Sequence, residues 1–437
     1  MIQSPTLRAG AAKIDITPQV GCWLEGIPRA EPSNAIHDPL HARALVVEQD
    51  DTRVCLVVCD LIGMSNAYAT EVRQRIAAAL NMPWQNVIVA CAHNHSGPAM
   101  IGFDDPARVD QVYLGQLTGD LVHVTQAAAQ AMQPAYLGVG RGQEITISEY
   151  RRLWTRHGRI VMNWEEFDPR DIVGPAEEGD PELGVVKLQD TRGRTIAVLF
   201  NYACHPNSLP GDNFTITSDF PGYAAAAIER ELGGIALFTN GAQGSVDIEG
   251  WVDRNLHGVE RRGKALAQAV LEVCNQIVVR PEAILRIARR SFLLPYRKVP
   301  AELLAWAQEV ARRNTGEAQT LRDGIPDEWK AANILRLASL TEPGVDFELV
   351  GLRLGDAAFI TIPGELFTEI GRRMKGLSHT LHIHVIGLAN GYHGYISTAK
   401  ASAEGGYATD IGTGAYFAEN AEDLICEQIA LLLQQLS

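Results

Sequence analysis

No run of about 20 apolar residues occurs anywhere in the 437 residues, so no segment reads as a helix long enough to cross a bilayer. The first residues, MIQSPTLRAGAAKIDITP, lack an apolar stretch behind basic residues, and a secretory leader is not expected. There is no CxxC pair to suggest a cysteine-bound metal. The seven cysteines (Cys22, Cys55, Cys59, Cys91, Cys204, Cys274 and Cys426) are odd in number and widely spaced, several of them inside apolar runs such as VCLVVCD. That usage fits buried, reduced thiols and a cytoplasmic location. Positive charge is in deficit: 38 Lys and Arg against 52 Asp and Glu give a formal net charge of −14. An acidic surface repels phosphate backbones and anionic lipid heads, which argues against nucleic acid and against stable membrane insertion. Internal repeats, low-complexity tracts and long like-charge runs are also missing, so no solenoid or interaction tail is expected.

What remains is ample material for a large core, 46% hydrophobic and 21% charged. β-Branched apolar runs recur: ARALVVEQ (42–49), VCLVVCDL (54–61), NVIVACAH (86–93), TIAVLFNYACH (195–205), GIALFTNG (234–241), AAFITIPGE (357–365) and LHIHVIGLANG (381–391). Helical spacing of apolar residues follows several of them, at Tyr68–Leu80, Gln111–Met132 and Phe220–Leu232. Strands alternating with helices predict an α/β fold. The stretch 281–350 differs, with amphipathic helices expected near Pro300–Arg313 and Pro326–Leu340 joined by a polar loop, and it reads as an insertion or lid on a single domain spanning 1–437. A closing helix is expected near Gly414–Leu436.

The runs end in chemically unusual turns. Val87–Ala92 gives way to His93-Asn94-His95-Ser96-Gly97-Pro98, and Ile196–Ala203 ends in Cys204-His205-Pro206. Ala358–Ile362 ends in Pro363-Gly364-Glu365, and His384–Leu388 runs into Asn390-Gly391-Tyr392-His393-Gly394-Tyr395. In α/β sheets, ligands gather beyond the carboxyl ends of strands. His93, His205 and Glu365 together would form a His2Glu set of the kind that binds zinc and leaves a position for water, whose pKa then falls toward ~7. If the HxH segment is extended, residues two apart share a face, which points His95 into the same cavity, as a further ligand or as a group that stabilises an oxyanion and protonates a leaving amine. Singly, each turn has an ordinary reading. Two histidines can be hydrogen-bonded surface residues, a CHP turn is more often structural, and a Glu after Pro-Gly suits the first turn of a helix. Asp219 reads by default as a helix cap, and His37-Asp38 as a turn. The Gly241–Gly244 turn could cradle an anion, but it lacks the Lys-Ser/Thr of a P-loop, which argues against a nucleotide.

With these motifs in order, the chain resembles the neutral/alkaline non-lysosomal ceramidases, in particular their N-terminal catalytic domain. The resemblance also rests on Gly10-Ala11-Ala12-Lys13-Ile14-Asp15-Ile16-Thr17-Pro18, Ile36-His37-Asp38-Pro39-Leu40, Ser218-Asp219-Phe220-Pro221-Gly222-Tyr223, Gly394-Tyr395-Ile396-Ser397-Thr398 and Gly405-Gly406-Tyr407. It implies a mixed multi-layer α/β catalytic domain without the C-terminal immunoglobulin-like domain of full-length members, since the chain stops at Ser437. It implies one Zn2+ per chain, held by His93, His205, Glu365 and Tyr395. It further implies substrate contacts from His95, from Tyr407, and from an arginine that is either Arg151 or Arg152. Without the resemblance, Tyr395 would read as a core tyrosine, because a phenol with a pKa near 10 is a poor zinc ligand.

One departure stands out: where the family carries G-D-x-S-P, this chain has Gly244-Ser245-Val246-Asp247-Ile248, with Asp247 in the place of the serine. Asp247 is then a base for water, a fixed anion that selects a cationic or hydroxyl-bearing substrate, or part of a structural turn. The expected function is hydrolysis of the C–N amide bond of a small-molecule N-acyl substrate, ceramide-like or smaller, by zinc-activated water. The alternatives are an ester or lactone hydrolase using the same site, and a small-molecule binder without turnover. A metallophosphatase would call for a second metal and more Asp ligands. Nothing in the sequence decides oligomeric state, and a homo-oligomer is left open.

Overall fold

The computed structural model describes residues 7–103, 105–250, 253–313 and 325–437. Eight strands form one mixed sheet: β1 (Arg8–Asp15), β2 (His41–Gln49), β3 (Thr52–Cys59), β4 (Val87–Cys91), β5 (Gln133–Gln143), β6 (Glu182–Asp190), β7 (Thr195–Tyr202) and β8 (Ile235–Asn240), in the order β8-β7-β6-β5-β1-β2-β3-β4. A second sheet is built from β9 (Leu285–Pro295), β10 (Gly344–Leu354), β11 (Ala357–Thr361) and β12 (His382–Ile386), in that order. Within these two sheets three pairs are parallel: β3 with β4, β7 with β8, and β11 with β12.

The two sheets pack face to face and carry helices on both outer faces, giving four layers. Along β2, Ala42, Ala44 and Val46 face Val72, Ile76, Leu117 and Leu121 of helices α1 (Asn66–Leu80) and α2 (Gln111–Gln130), while Leu45 and Val47 face Val350, Leu352 and Phe359 of the second sheet. Burial on both faces explains why these strands read as continuous apolar runs and not as alternation. At the other end of the large sheet, α3 (Asp219–Leu232) and α4 (Leu256–Gln276) cover Val185, Val198, Phe200 and Phe238. Helices α5 (Ala301–Arg313) and α6 (Asp327–Ser339) lie between β9 and β10 in the chain and pack on Ile411 and Tyr416. Helix α7 (Thr368–Lys375) and the C-terminal helix (Ala421–Leu436) cover the outer face of the second sheet through Ile370, Met374, Ile425 and Leu432. Among the described residues no helix is long and apolar enough to cross a membrane, and all seven cysteines are unpaired.

The seven apolar runs all become strands, and the helices of the 281–350 segment fall where the periodicity puts them. The loop expected between those two helices lies, over 314–324, outside the described residues. The segment itself is bounded by two long sheet strands, β9 and β10, which pair along their whole length. The C-terminal helix starts at Ala421 and not at Gly414, because residues 414–418 are used elsewhere. The Gly414 carbonyl accepts from Tyr395 N at 3.0 Å, and Ala418 N donates to Pro295 O at 2.9 Å. Strand β5 escapes the apolar pattern because its helix-facing side is glycine, opposite Ala135 and Leu137 in the inter-sheet core: a Cβ on Gly138 would stand 2.7 Å from the carbonyl oxygen of Val278, and one on Gly140 would stand 2.7 Å from Ile277 and Val273. Gly138→Val is therefore expected to lower unfolding stability by roughly 1–3 kcal/mol through overpacking, read as a lower urea midpoint at unchanged slope.

Candidate functional site

Residues from both sheets meet just beyond the carboxyl ends of the strands, as the sheet topology allows. His93 follows β4, His205 follows β7, Asp247 follows β8, Glu365 follows β11, and Tyr395 follows β12. Ring nitrogens of His93, His95 and His205 lie within 4.8 Å of one another, and all three residues are buried. The Glu365 Oε2 atom sits 3.2 Å from His93 Nε2 and 3.1 Å from His205 Nε2. Glu365 and Tyr395 are register partners on a short parallel ladder, Glu365–Leu366 with Tyr395–Ile396, so their side chains leave the same face side by side.

Two of the imidazoles are fixed from behind. His93 Nδ1 lies 3.0 Å from the Ile62 carbonyl oxygen and His205 Nδ1 lies 2.8 Å from that of Val246. Each Nδ1–H therefore donates to a carbonyl, and Nε2 is turned toward Glu365. His95 has neither ring nitrogen hydrogen-bonded, although both are buried. Its ring centroid is 4.7 Å from that of His93 and 5.7 Å from that of His205. His93 and His95 do converge, but not through strand alternation. The strand ends at Cys91, and His93 has φ +70°, a left-handed conformation that is strained for a side chain of this size. His95 is set in place by its own N–H to Pro206 O at 3.0 Å and by Arg29, which donates to its carbonyl at 2.9 Å.

The turns are latched by residues that the sequence reading passed over or gave ordinary local roles. Asn240, the last residue of β8, donates through Nδ2 to Ala92 O at 2.9 Å and to Cys204 O at 2.8 Å, and accepts from Cys204 N at 3.2 Å. One buried amide thus holds the residue before His93 and the residue before His205. Its signal was only an Asn-Gly pair closing an apolar run. Asp219, expected as a helix cap, instead accepts from Ser208 N at 2.9 Å and Ser208 Oγ at 2.6 Å, tying down the chain just past His205. Asp38 likewise anchors the start of α3 by accepting from Thr217 and Ser218. Tyr392, three residues before Tyr395, donates to Glu365 Oε1 at 2.7 Å.

Of the two neighbouring arginines, Arg151 faces the cluster. Its Nη1 lies 3.5 Å from His205 Nε2, its Nη2 donates to Gly244 O at 2.6 Å, and its guanidinium carbon lies 5.4 and 5.3 Å from the ring centroids of Tyr395 and Tyr407. Arg152 points away and is committed to Gly405 O, Ala401 O and Glu404. Tyr407 packs edge-on against Tyr395 at 5.6 Å and against Trp164 at 5.3 Å, forming an aromatic wall. Asp247 is fully buried, with Oδ2 3.4 Å from Arg254 Nη2. His393 turns toward Phe347 and Phe417 and lies outside the cluster. The Gly241–Gly244 turn is not an anion cradle, because its amides are used: Gly241 N donates to Tyr202 O and Gly244 N to Leu366 O. Gly244 is required there, since a Cβ would stand 2.5 Å from Glu365 O.

Burial alone would raise the Glu365 carboxyl, but His93 and His205 beside it hold it well below the ordinary carboxylate range. Burial pushes His95 well below the usual imidazole value, reinforced by His93 and His205, and it lowers His205 too. Burial with Glu365 and Tyr407 pushes the Tyr395 phenol well above its usual value. For Asp247 burial again opposes ionisation, and Arg254, His205 and Arg151 overcome it. The site therefore holds a retained carboxylate among buried imidazoles, with His93 Nε2 and both ring nitrogens of His95 buried and not hydrogen-bonded. Nitrogen and carboxylate donors aimed at one point, with their far atoms tied to carbonyls, suit a divalent cation of the zinc type.

Residues 7–245 match the family model described as neutral/alkaline non-lysosomal ceramidase, N-terminal. The neutral ceramidase of Mycobacterium tuberculosis is 25% identical over 237 residues, 52% of this chain and 36% of that protein. The neutral ceramidase of Pseudomonas aeruginosa is 27% identical over 256 residues, 55% of this chain and 36% of that protein. That of Drosophila melanogaster is 28% identical over 238 residues, 52% and 33% respectively. These matches thus span about a third of the relatives' length. The crystal structure of the Pseudomonas aeruginosa neutral ceramidase superimposes with a TM-score of 0.73 at 19% identity, covering 99% of this chain and 75% of that one. A ceramidase complexed with C2 gives 0.75 at 18% identity, with the same coverage. The four-layer α/β fold is shared with these structures. Asn240→Ala should cost on the order of 3 kcal/mol, since it strands two carbonyls and one amide in the interior, and chemical denaturation of purified protein measures it.

Proposed function

Because the chain belongs to the neutral/alkaline non-lysosomal ceramidase family, we propose that it is a single-zinc hydrolase that cleaves the C–N bond of an N-acyl amide, ceramide-like or smaller, with water. The observation that carries this reading is the convergence of His93 Nε2 and His205 Nε2 on Glu365 Oε2, at 3.2 and 3.1 Å, inside a buried pocket. His93, His205, Glu365 and Tyr395 would hold the cation. A zinc ion bound there supplies Lewis acidity and lowers the pKa of water toward neutrality.

The surrounding residues supply the rest of the chemistry. His95, neutral at pH 7 and not hydrogen-bonded at either ring nitrogen, takes a proton and passes it to the departing nitrogen. Arg151, held by Gly244 O and lying over Tyr395 and Tyr407, presents a fixed positive charge to the developing oxyanion. Tyr407 offers its phenol to the substrate amide. Asp247, where the resemblance places a serine, is an anion fixed by Arg254. Its charge lies near His205 and Arg151, and a carboxylate there offers no hydroxyl nucleophile. The products are a carboxylic acid and an amine.

His205→Ala is expected to lose both bound zinc, by elemental analysis, and turnover, while keeping its circular dichroism spectrum; full zinc content and activity in that variant would remove the proposal. On matched pairs of N-acyl amides and O-acyl esters, amide turnover is expected. Turnover confined to the esters would overturn the C–N assignment while leaving the site intact.

A further inference from the structure

We infer that Tyr392 is a positioning residue for Glu365: its hydroxyl occupies one carboxylate oxygen so that only the other is presented to the metal. The inference rests on the metal reading given above. Glu365 has two oxygens in different situations. Oε1 accepts from the Tyr392 hydroxyl at 2.7 Å, while Oε2 lies between His93 Nε2 and His205 Nε2. A carboxylate on a flexible Glu side chain can rotate and offer a cation either one oxygen or both. A donor fixed on Oε1 sets the plane of the group and favours one-oxygen ligation, leaving a position open for water or substrate.

A donor can fix Glu365 only if it is itself held. The Tyr392 amide donates to Asn66 Oδ1 at 2.8 Å, and Asn66 is the first residue of α1. The same Asn66 reaches His393 Nδ1 at 3.4 Å, clamping the turn from both sides. Gly391, at φ +145°, lies so close to Asn66 that a Cβ there would collide with its Oδ1. The Tyr392 ring packs on Phe103 at 5.0 Å between centroids, and the Phe103 carbonyl accepts from the Trp329 indole N–H at 2.8 Å. The phenol is thus braced by α1 on one side, and by α6 acting through Phe103 on the other.

Tyr392→Phe keeps the ring and its packing and removes only the hydroxyl. The probes are Zn2+, titrated against a chromophoric chelator, and Co2+, whose visible absorption reports ligand number. For Y392F we expect zinc affinity to fall about 10–100-fold and the cobalt band to change in energy and intensity as the second oxygen becomes available. Asn66→Ala frees the turn without touching the phenol and should weaken zinc in the same direction by a smaller factor. Should Y392F not fold, N66A carries the test by itself. A Y392F protein that melts earlier when metal-free, yet binds zinc and cobalt as the unaltered chain does, would overturn the inference and make Tyr392 merely structural. If the unaltered chain takes up neither metal, the metal reading falls and this inference with it.

Discussion

A carboxylate buried as completely as that of Glu365 stays ionised only if neighbouring groups repay a desolvation cost of several kcal/mol. Here the neighbours are two imidazoles on one oxygen and a phenol on the other. None of the three can move independently. The imidazoles are tied through Nδ1 to the carbonyls of Ile62 and Val246, and the phenol is tied through its turn to Asn66. Holding one anion in the dry interior therefore fixes the ends of several strands at once, and the local architecture is arranged around that requirement. His93 accepts a left-handed backbone for this purpose, a cost of order 1–3 kcal/mol that only a firmly determined environment can hold.

The site lies where the two sheets are stitched together. Asn201 Nδ2, on β7, donates to Val385 O on β12 at 2.7 Å, Gly387 N donates to Asn240 O at 2.9 Å, and Asn390 N donates to Val89 O at 2.7 Å. These hydrogen bonds run between the carboxyl ends of strands in different sheets, beneath the cluster. Stacked sheets held by side chains alone are free to slide by a fraction of an ångström, whereas polar stitches at one end fix their relative position there. Groups meant to act on a common atom gain from that, because displacements of about 1 Å can cost two orders of magnitude in rate.

Much of this could be read from the sequence, and the exceptions have physical causes. The α/β pattern was visible because strands buried on both faces are apolar throughout. Strand β5 was hidden because its helix-facing positions are Gly138, Gly140 and Gly142, where α4 and the segment after it approach too closely for any side chain. The turns at His93, His205 and Glu365 stood out because histidine and glutamate are costly at the end of an apolar run, whereas Tyr395 was singled out only through the family resemblance. The latches did not stand out. Asn240, Tyr392 and Ser208 are ordinary residues in ordinary turns, and their roles exist only once distant strands are adjacent. The choice between Arg151 and Arg152 could not be made from spacing, since neighbouring residues point to opposite sides and the register is set by pairing of Ser148–Tyr150 with Val246–Ile248. His95 lies beside His93 for a reason other than strand alternation, because the strand ends at Cys91 and His93 takes a left-handed backbone.

Chemistry and rim come from different kinds of structure. The cluster is carried by strand ends whose positions are fixed by two cores and by polar stitches. The nearby helices α5 and α6 are attached more lightly, through the Trp329 indole to Phe103, through Asn333 to the Gly412 carbonyl, and through Arg336 and Asn333 to the Tyr416 hydroxyl. Their own apolar contact is a small cluster around Ala307, Ile334 and Leu337. Sequence change in such a segment alters what borders the site at little cost to the sheets. The contact through Phe103 is the exception, because Phe103 links the helical segment to Tyr392, whose hydroxyl donates to Glu365. A substitution on α6 facing Phe103 can thus act on the Glu365 carboxylate, whereas one on the outer face of α5 has no such route.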